Sequence, residues 1–242
     1  MPDASDDPLA REKDLAARAA VRRVRSGMRL ALGTGSTAAY AVRAIAERFP
    51  GGDGLEAVAS SRLTEDLARS LGLAVRPLAA EDRFDLMLDG ADEVTPRLEL
   101  TKGGGGALFR EKFLARLSRE VAIMVDHTKL VPELGHRSAI PVEVVPFARP
   151  VIARQLTEQG FGVVLRGAGS AAGTAHTDNH NEILDLRPPR PVTDAAGLEA
   201  TLHAIPGVVE TGIFVGLAHR VLVGLPDGSV QEVLPSGEPR PR

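Results

Sequence analysis

Apolar and polar residues follow two different periods along the first half of the chain. Short apolar runs typical of buried strands are separated by amphipathic stretches with helical spacing. The predicted helices are Leu9–Ser26, Ala38–Phe49, a helix capped by Ser61 that ends at Gly72, and Ala107–Ser118. The predicted strands are Met28–Leu32, Leu55–Ala59, Ala74–Leu78, Phe84–Leu88 and Val121–Val125. Short strands alternating with helices favour a parallel sheet covered on both faces.

The pattern changes where Pro141, Pro146 and Pro150 follow one another closely. The elements predicted there are strand Val142–Val145, helix Val151–Gln159, strands Val163–Arg166 and Glu182–Leu186, helix Ala195–His203 and strand Val208–Glu210. This β-α-β-β-α-β order is the ferredoxin-like arrangement. Two further strands, Gly212–Val215 and Val221–Leu225, are expected to return to the first sheet. We therefore predict an α/β fold: a Rossmann-like parallel sheet domain, 1–137 plus 208–242, interrupted by a ferredoxin-like α+β domain, 138–207.

Composition limits the classes of function. The 242 residues are 43% hydrophobic and 25% charged with a net charge of −3, as in an ordinary globular protein without a basic surface for nucleic acid. The chain has no cysteine, which excludes disulfides and thiolate chemistry. No apolar run is long enough to span a bilayer, and the acidic segment Met1–Asp7 lacks the apolar core of a signal peptide. We expect a cytoplasmic protein with neither membrane nor nucleic-acid partners.

Four consecutive glycines, Gly103 to Gly106, follow Lys102 and precede the predicted helix Ala107–Ser118. Ordering glycine is costly, so such a run is expected where the backbone must approach a ligand closely. Amides at the start of the helix would point at an anion or oxyanion. A solvated linker is the alternative, which the flanking charges and apolar strands disfavour.

Two more motifs follow predicted strands, at the carboxyl ends where open α/β sheets bind ligands. Gly33-Thr34-Gly35-Ser36-Thr37 supplies amides and hydroxyls that suit a phosphate. Its glycine spacing also fits a dinucleotide site, but that site needs an acidic residue after the second strand, where Ser60-Ser61-Arg62 stands. Asp89 and Asp92 could divide acid and base roles, or form a common Asp-Gly turn.

Only four of the 29 basic residues are lysines: Lys13, Lys102, Lys112 and Lys129. Three of the four lie beside glycine-rich or strand-end motifs. Lysine is a compact point charge where arginine is a planar fork, so these lysines are candidates for ligand contacts.

Taken in order, Gly33 to Thr37, Asp89 to Glu93, Lys102 to Gly106, Arg110-Glu111-Lys112, and Thr177-Asp178-Asn179 with Asn181 resemble ribose-5-phosphate isomerase of the A type. The resemblance extends from about Lys13 to the C-terminal strands. It implies a Rossmann-like domain interrupted by a ferredoxin-like one. It also implies an aldose-ketose isomerase of the non-oxidative pentose phosphate pathway, which interconverts ribose 5-phosphate and ribulose 5-phosphate through an enediolate. Such an enzyme would need no cofactor and would form a homodimer or a tetramer.

The resemblance also implies roles. Glu111 would be the base, ionised at the ordinary glutamate pKa of roughly 4.3, and Lys102, Asp89 and Asp92 would handle charge and protons on the sugar oxygens. The implied substrate-binding residues are Lys13, Thr34, Gly35, Ser36, Thr37, Asp89, Gly90, Ala91, Asp92, Lys102, Gly103, Gly104, Gly105 and Lys129. Arg110 and Lys112 are interpreted as solvated or structural. A sugar-phosphate-sensing regulator would need a DNA-binding segment, for which the residues before Leu9 are too few and too acidic.

Two departures from the family stand out. His180 replaces a usual glycine and would be strained at positive φ, and His127-Thr128 replaces smaller residues or serine. His176, Asp178, His180 and Glu182 alternate and would share one face of a continuous strand, as a metal site requires. Asn179 and Asn181 instead favour a turn that would scatter them. We therefore predict no metal site.

Overall fold

A computed structural model describes residues 7–169 and 175–235. The segment before Asp7, the stretch 170–174 that includes Gly173, and the tail after Pro235 lie outside it. The helices are α1 (Ala10–Val21), α2 (Ser36–Arg48), α3 (Arg62–Ser70), α4 (Leu108–Leu117), α5 (Arg149–Glu158) and α6 (Ala195–His203). None of these helices combines the length and apolarity needed to cross a membrane.

The strands are β1 (Arg29–Leu32), β2 (Glu56–Ala59), β3 (Leu86–Asp89), β4 (Glu93–Val94), β5 (Leu100–Thr101), β6 (Val121–Asp126), β7 (Ile140–Val144), β8 (Gly162–Leu165), β9 (Glu182–Arg187), β10 (Val208–Thr211), β11 (Ile213–Phe214), β12 (Arg220–Gly224) and β13 (Val230–Val233). A short 3-10 turn, His127–Lys129, follows β6.

The larger sheet has the order β13-β12-β6-β3-β1-β2 and is parallel except for β13. Successive side chains of a strand point to opposite faces. Leu30 and Leu32 accordingly join the core under α1 and α2, whereas Ala31 joins the core that includes Leu114 of α4. Both faces are covered, which explains why the strands are almost continuously apolar.

The smaller sheet has the order β10-β7-β9-β8 and is antiparallel throughout. Together with α5 and α6 it gives the ferredoxin-like arrangement, so the predicted fold class is confirmed. The strand Val208–Thr211, which the boundary at residue 208 assigns to the larger domain, is hydrogen-bonded to β7. That pairing places the strand in the smaller sheet, while the rest of the domain division stays a prediction.

Four short elements differ from the sequence-based expectation. Ala74–Leu78 is not a strand: Val75 forms a single bridge with Ala57, and Pro77 cannot donate to a ladder. Gly212–Val215 does not return to the first sheet, because β11 pairs with β5 in a small sheet ordered β11-β5-β4. The two-residue strands β4 and β5 are too short to produce a recognisable pattern.

Lys112 and Arg110 join α4 to the smaller unit. Lys112 is 1% exposed, and its Nζ lies 2.6 Å from carboxylate oxygens of both Glu199 and Glu210. Arg110 donates to the Asn179 side chain at 2.9 Å and to the Asp178 carbonyl at 3.0 Å. Both side chains are structural rather than solvated.

The turn Thr177–Asn181 packs around a buried acid. Glu143 Oε1 accepts hydrogen bonds from Thr177 Oγ1 at 2.9 Å and from Asn181 Nδ2 at 2.9 Å. His180 adopts a left-handed backbone, with φ 64°, and its amide donates to the Thr177 carbonyl. Histidine adopts this left-handed conformation at the cost of backbone strain, as the sequence predicts for a residue at positive φ.

Candidate active site

The carboxyl ends of β1, β3 and β6 deliver their loops to one edge of the larger sheet, and the glycine loop before α4 closes the cleft between them. The residues that line this cleft are Lys13, Thr34, Gly35, Ser36, Thr37, Gly90, Ala91, Asp92, Lys102, Gly103, Gly104, Gly105, Glu111 and Lys129. These are the sequence-predicted site residues with one difference. Asp89 does not line the cleft, because it is fully buried behind Lys102.

The centre of the cleft is a lysine shared by two acids. Lys102 Nζ lies 2.9 Å from Asp89 Oδ2 and 3.2 Å from Glu111 Oε2, and it donates to the Gly90 carbonyl at 2.7 Å. All three charged side chains are at most 3% exposed. The Phe214 ring lies 5.4 Å from the same ammonium. Apolar packing, two ion pairs and one hydrogen bond therefore hold the Lys102 ammonium in place.

The loop after β1 passes the end of β3 so closely that the residue at the contact must be a glycine. A Cβ at Gly33 would lie 2.0 Å from Asp89 Oδ1. The β1 loop can therefore pass close enough to the Asp89 carboxylate to bring Thr34 to the cleft.

Burial dominates the proton affinities of this group. Loss of solvation raises the pKa of Glu111, the Asp89 charge raises it further, and Lys102 opposes both, so that the pKa of Glu111 is about 8. Burial also raises the pKa of Asp89. For Lys102, burial alone would lower the pKa, but the charges of Asp89 and Glu111 outweigh it and raise the pKa above its usual range. The expectation that Glu111 has an ordinary acidity is therefore wrong.

The glycine loop is a cradle of backbone amides. Gly103 has φ 103°, a left-handed conformation that glycine adopts without strain. The Gly104 amide donates to Asp92 Oδ2 at 2.9 Å. A Cβ at Gly104 would come within 2.8 Å of the Asp92 carboxylate, so the contact depends on glycine.

The other end of the cleft suits an anion. Ser36 and Thr37 begin α2, whose first amides and dipole favour negative charge. Lys13 from α1 and Lys129 from the turn after β6 line the same cleft. Two cations and a helix N-terminus in one cleft suit a phosphate group.

Sequence reasoning did not identify the residues that support this anion site. The Thr34 hydroxyl lies 2.7 Å from Ser60 Oγ and 2.8 Å from Ser61 Oγ, so the residues after β2 position the β1 loop instead of binding a ribose. Asp7 Oδ2 lies 2.7 Å from Lys13 Nζ. Hydroxyls at a strand end were the available signal for the serines, but no local pattern indicated Asp7.

The four alternating residues considered as metal ligands, His176, Asp178, His180 and Glu182, do not converge on one point. Asp178 Oδ2 accepts from the Arg62 amide at 2.8 Å, Glu182 pairs with Arg149 at 2.7 Å, and His176 and His180 are exposed. Over residues 7–169 and 175–235, the group of possible ligands close enough to share an ion is Glu199, His203 and Glu210. The Lys112 ammonium already lies among these side chains, 2.6 Å from both Glu199 and Glu210.

Known proteins are similar to this chain in sequence and in fold. The family model described as ribose 5-phosphate isomerase A (phosphoriboisomerase A) matches residues 56–228. Ribose-5-phosphate isomerase A of Chloroflexus aurantiacus is 50% identical over 226 residues, which cover 93% of this chain and 93% of the relative. The enzyme of that name from Deinococcus radiodurans is 42% identical and covers 94% of this chain and 99% of its own length.

Solved structures of proteins with the same name have a similar fold. A D-ribose-5-phosphate isomerase in complex with phospho-erythronic acid superposes with a TM-score of 0.87 and 35% identity, covering 92% of this chain and 97% of that one. Ribose 5-phosphate isomerase A from Methanocaldococcus jannaschii gives a TM-score of 0.85 and 38% identity with the same coverage of both chains.

The raised pKa of Glu111 can be measured by carbon-13 NMR titration of the side-chain carboxyl groups. Glu111 should titrate near pH 8. Asp89→Asn removes the neighbouring negative charge and should move that midpoint to lower pH, whereas Asp14→Asn, in a surface ion pair with Arg18, should leave it unchanged. A Glu111 midpoint between 4 and 5 in the unmodified protein would contradict this electrostatic account.

Proposed function

Because the chain belongs to the ribose 5-phosphate isomerase A family, we propose that it interconverts D-ribose 5-phosphate and D-ribulose 5-phosphate. The observation that supports this most directly is Glu111 in the cleft, held 3.2 Å from the Lys102 ammonium and opposite a loop of backbone amides. Proton abstraction next to a carbonyl needs this combination of a positioned base and a stabilised oxyanion.

In the proposed mechanism, ionised Glu111 removes the proton from C2 of the open-chain aldose and returns it to C1. The electron pair left at C2 moves into the C1–C2 bond, and the negative charge develops on the carbonyl oxygen. Lys102 and the glycine-loop amides stabilise this enediolate, while Asp92 exchanges protons with the two sugar oxygens. Asp89 does not line the cleft, so its proposed role is to position Lys102.

The raised pKa of Glu111 suits this step. A base whose conjugate acid has a pKa near the working pH both accepts a proton effectively and releases it again. The same proton must be returned to C1, so a strongly acidic carboxyl group would be a poor choice. Burial of Glu111 therefore makes this carboxylate a better base for a step in which the proton has to be returned.

We propose that the substrate phosphate binds between Lys13, Lys129 and the start of α2. Its oxygens would replace Asp7 as the partner of Lys13. The sugar then extends along the cleft toward Lys102, which places C1 and C2 beside Glu111.

We further propose that the enzyme is a cytoplasmic homodimer of the non-oxidative pentose phosphate pathway. A phosphorylated sugar is a dianion that does not cross lipid bilayers, so its enzymes share its compartment. Leu78 and Phe113 are 42% and 46% exposed and line one apolar groove between α3 and α4, which a second copy would cover. Light scattering after size-exclusion chromatography measures the mass directly.

The activity itself is tested by a coupled assay for ribulose 5-phosphate formed from ribose 5-phosphate without added cofactor. The protein is first dialysed exhaustively against EDTA, and its metal content is measured on the same sample. We expect full activity in the metal-depleted protein. Activity that disappears with the metal and returns with zinc or manganese would overturn the cofactor-free mechanism.

Glu111→Gln keeps the side-chain shape and should retain substrate binding while losing the base. A general base contributes about 10²–10⁴-fold, so kcat should fall by at least that factor with little change in KM. Glu158→Gln, on an exposed part of α5, is the matched control. A Glu111→Gln enzyme with a tenth of the normal kcat would show that another group removes the proton.

Lys129→Ala should weaken binding more than chemistry. The expected loss is roughly 1.5–3 kcal/mol, the range for a hydrogen bond to a charged group, and it should appear as a higher KM. Lys129→Arg should restore only part of it, because a planar fork does not replace a point charge. Arg11→Ala, which removes an exposed cation outside the cleft, serves as the control, and an unchanged KM in Lys129→Ala would exclude a phosphate contact.

A further inference from the structure

Arg166, the residue after β8, reaches from the smaller sheet to the glycine loop. Its Nη1 donates to the carbonyl of Gly103 at 2.7 Å and to that of Gly104 at 3.2 Å. On its other edge, Nε donates to Asp185 Oδ2 at 2.9 Å, and Nη2 pairs with Asp185 Oδ1. A guanidinium plane held along one edge by a carboxylate has a defined orientation.

These two carbonyl contacts determine where the next amides point. In a trans peptide unit the C=O and the following N–H point in opposite directions. Holding the Gly103 carbonyl therefore aims the Gly104 amide away from Arg166, and this amide donates to Asp92. Holding the Gly104 carbonyl aims the Gly105 amide away from Arg166 in the same way, and Gly105 lines the cleft.

Apart from these carbonyl contacts and the bond from the Gly104 amide to Asp92, few hydrogen bonds order the loop. Within the described residues, its internal support is the bond from the Gly106 amide to the Gly103 carbonyl at 2.9 Å. Glycine peptides have more accessible orientations than any others. An external contact on two consecutive carbonyls removes that freedom, and its positive charge also polarises both peptides toward stronger donation.

We propose that Arg166, oriented by Asp185, is a positioning residue that aims the Gly105 amide, and through the Gly104 amide the Asp92 carboxylate, at the reacting oxygens of the substrate. Arg166 does not itself line the catalytic cleft; it lines the neighbouring groove together with Arg137 and Arg187. Its effect therefore passes through the backbone. The inference rests on the proposed isomerase activity.

The test compares Arg166→Ala with Arg187→Ala, which removes an exposed arginine from the same groove. We expect kcat of Arg166→Ala to fall about 10–100-fold, since a misplacement near 1 Å costs up to 10²-fold, with KM changed less than about threefold. Arg187→Ala should match the unmodified enzyme. Arg166→Lys should recover only part of kcat, because it keeps the charge but not the fork.

Inhibition by phospho-erythronic acid, the compound bound in the solved D-ribose-5-phosphate isomerase, gives a second readout. Its carboxylate is planar and negatively charged, like the enediolate, so its inhibition constant should rise by the factor by which kcat/KM falls. Asp185→Asn keeps the guanidinium charge and loosens its orientation, and it should lower kcat with KM unchanged. This variant and Arg166→Lys carry the test if Arg166→Ala fails to fold.

Two outcomes would overturn the inference. A higher KM with normal kcat in Arg166→Ala would mean that the arginine attracts the phosphate by charge. Normal kcat in both Arg166→Ala and Asp185→Asn would mean that the loop orders itself. Absence of activity in the unmodified enzyme and in Arg187→Ala would instead reject the proposed isomerase function.

Discussion

The ammonium group of Lys102 is surrounded by Asp89, Glu111 and the Gly90 carbonyl, and the side chain is only 3% exposed, at the floor of the cleft. Removing an ion from water costs several kcal/mol, and only well-placed partners offset that cost. The partners come from different parts of the chain, namely the end of β3 and the first turn of α4, while β11 covers the site with Phe214. The arrangement of these elements is therefore tied to one buried charge.

The smaller unit supports this centre from outside. Lys112 fixes α4 to Glu199 and Glu210, and Arg166 holds the glycine loop that precedes the same helix. Lys112 Nζ also lies 4.9 Å from the Phe214 ring that contacts Lys102. The chain is therefore attached to the smaller unit on both sides of Glu111, through the glycine loop before it and through Lys112 after it.

Much of the fold follows from local pattern, because strands covered on both faces are continuously apolar and helices show their own period. Cleft residues such as Thr34 and Asp92 were recognisable because their motifs directly follow strands. The raised pKa of Glu111 was not recognisable, since it arises from burial beside Asp89, more than twenty positions away. The prediction for β11 was also wrong, because its partner β5 has only two residues and leaves no pattern in the sequence that would indicate the pairing.

Glu111 binds its proton more tightly in the folded chain, where its pKa is about 8, than in the unfolded chain, where a glutamate has a pKa near 4.5. Below pH 4.5 the group is protonated in both states and does not penalise folding. As the pH rises toward 8, the unfolded chain gains the free energy of ionisation while the folded chain does not, so this residue progressively reduces stability. The pH range in which Glu111 becomes able to accept a proton is thus the range in which it opposes the folded state most. The rest of the core has to compensate for a carboxylate kept ready for chemistry.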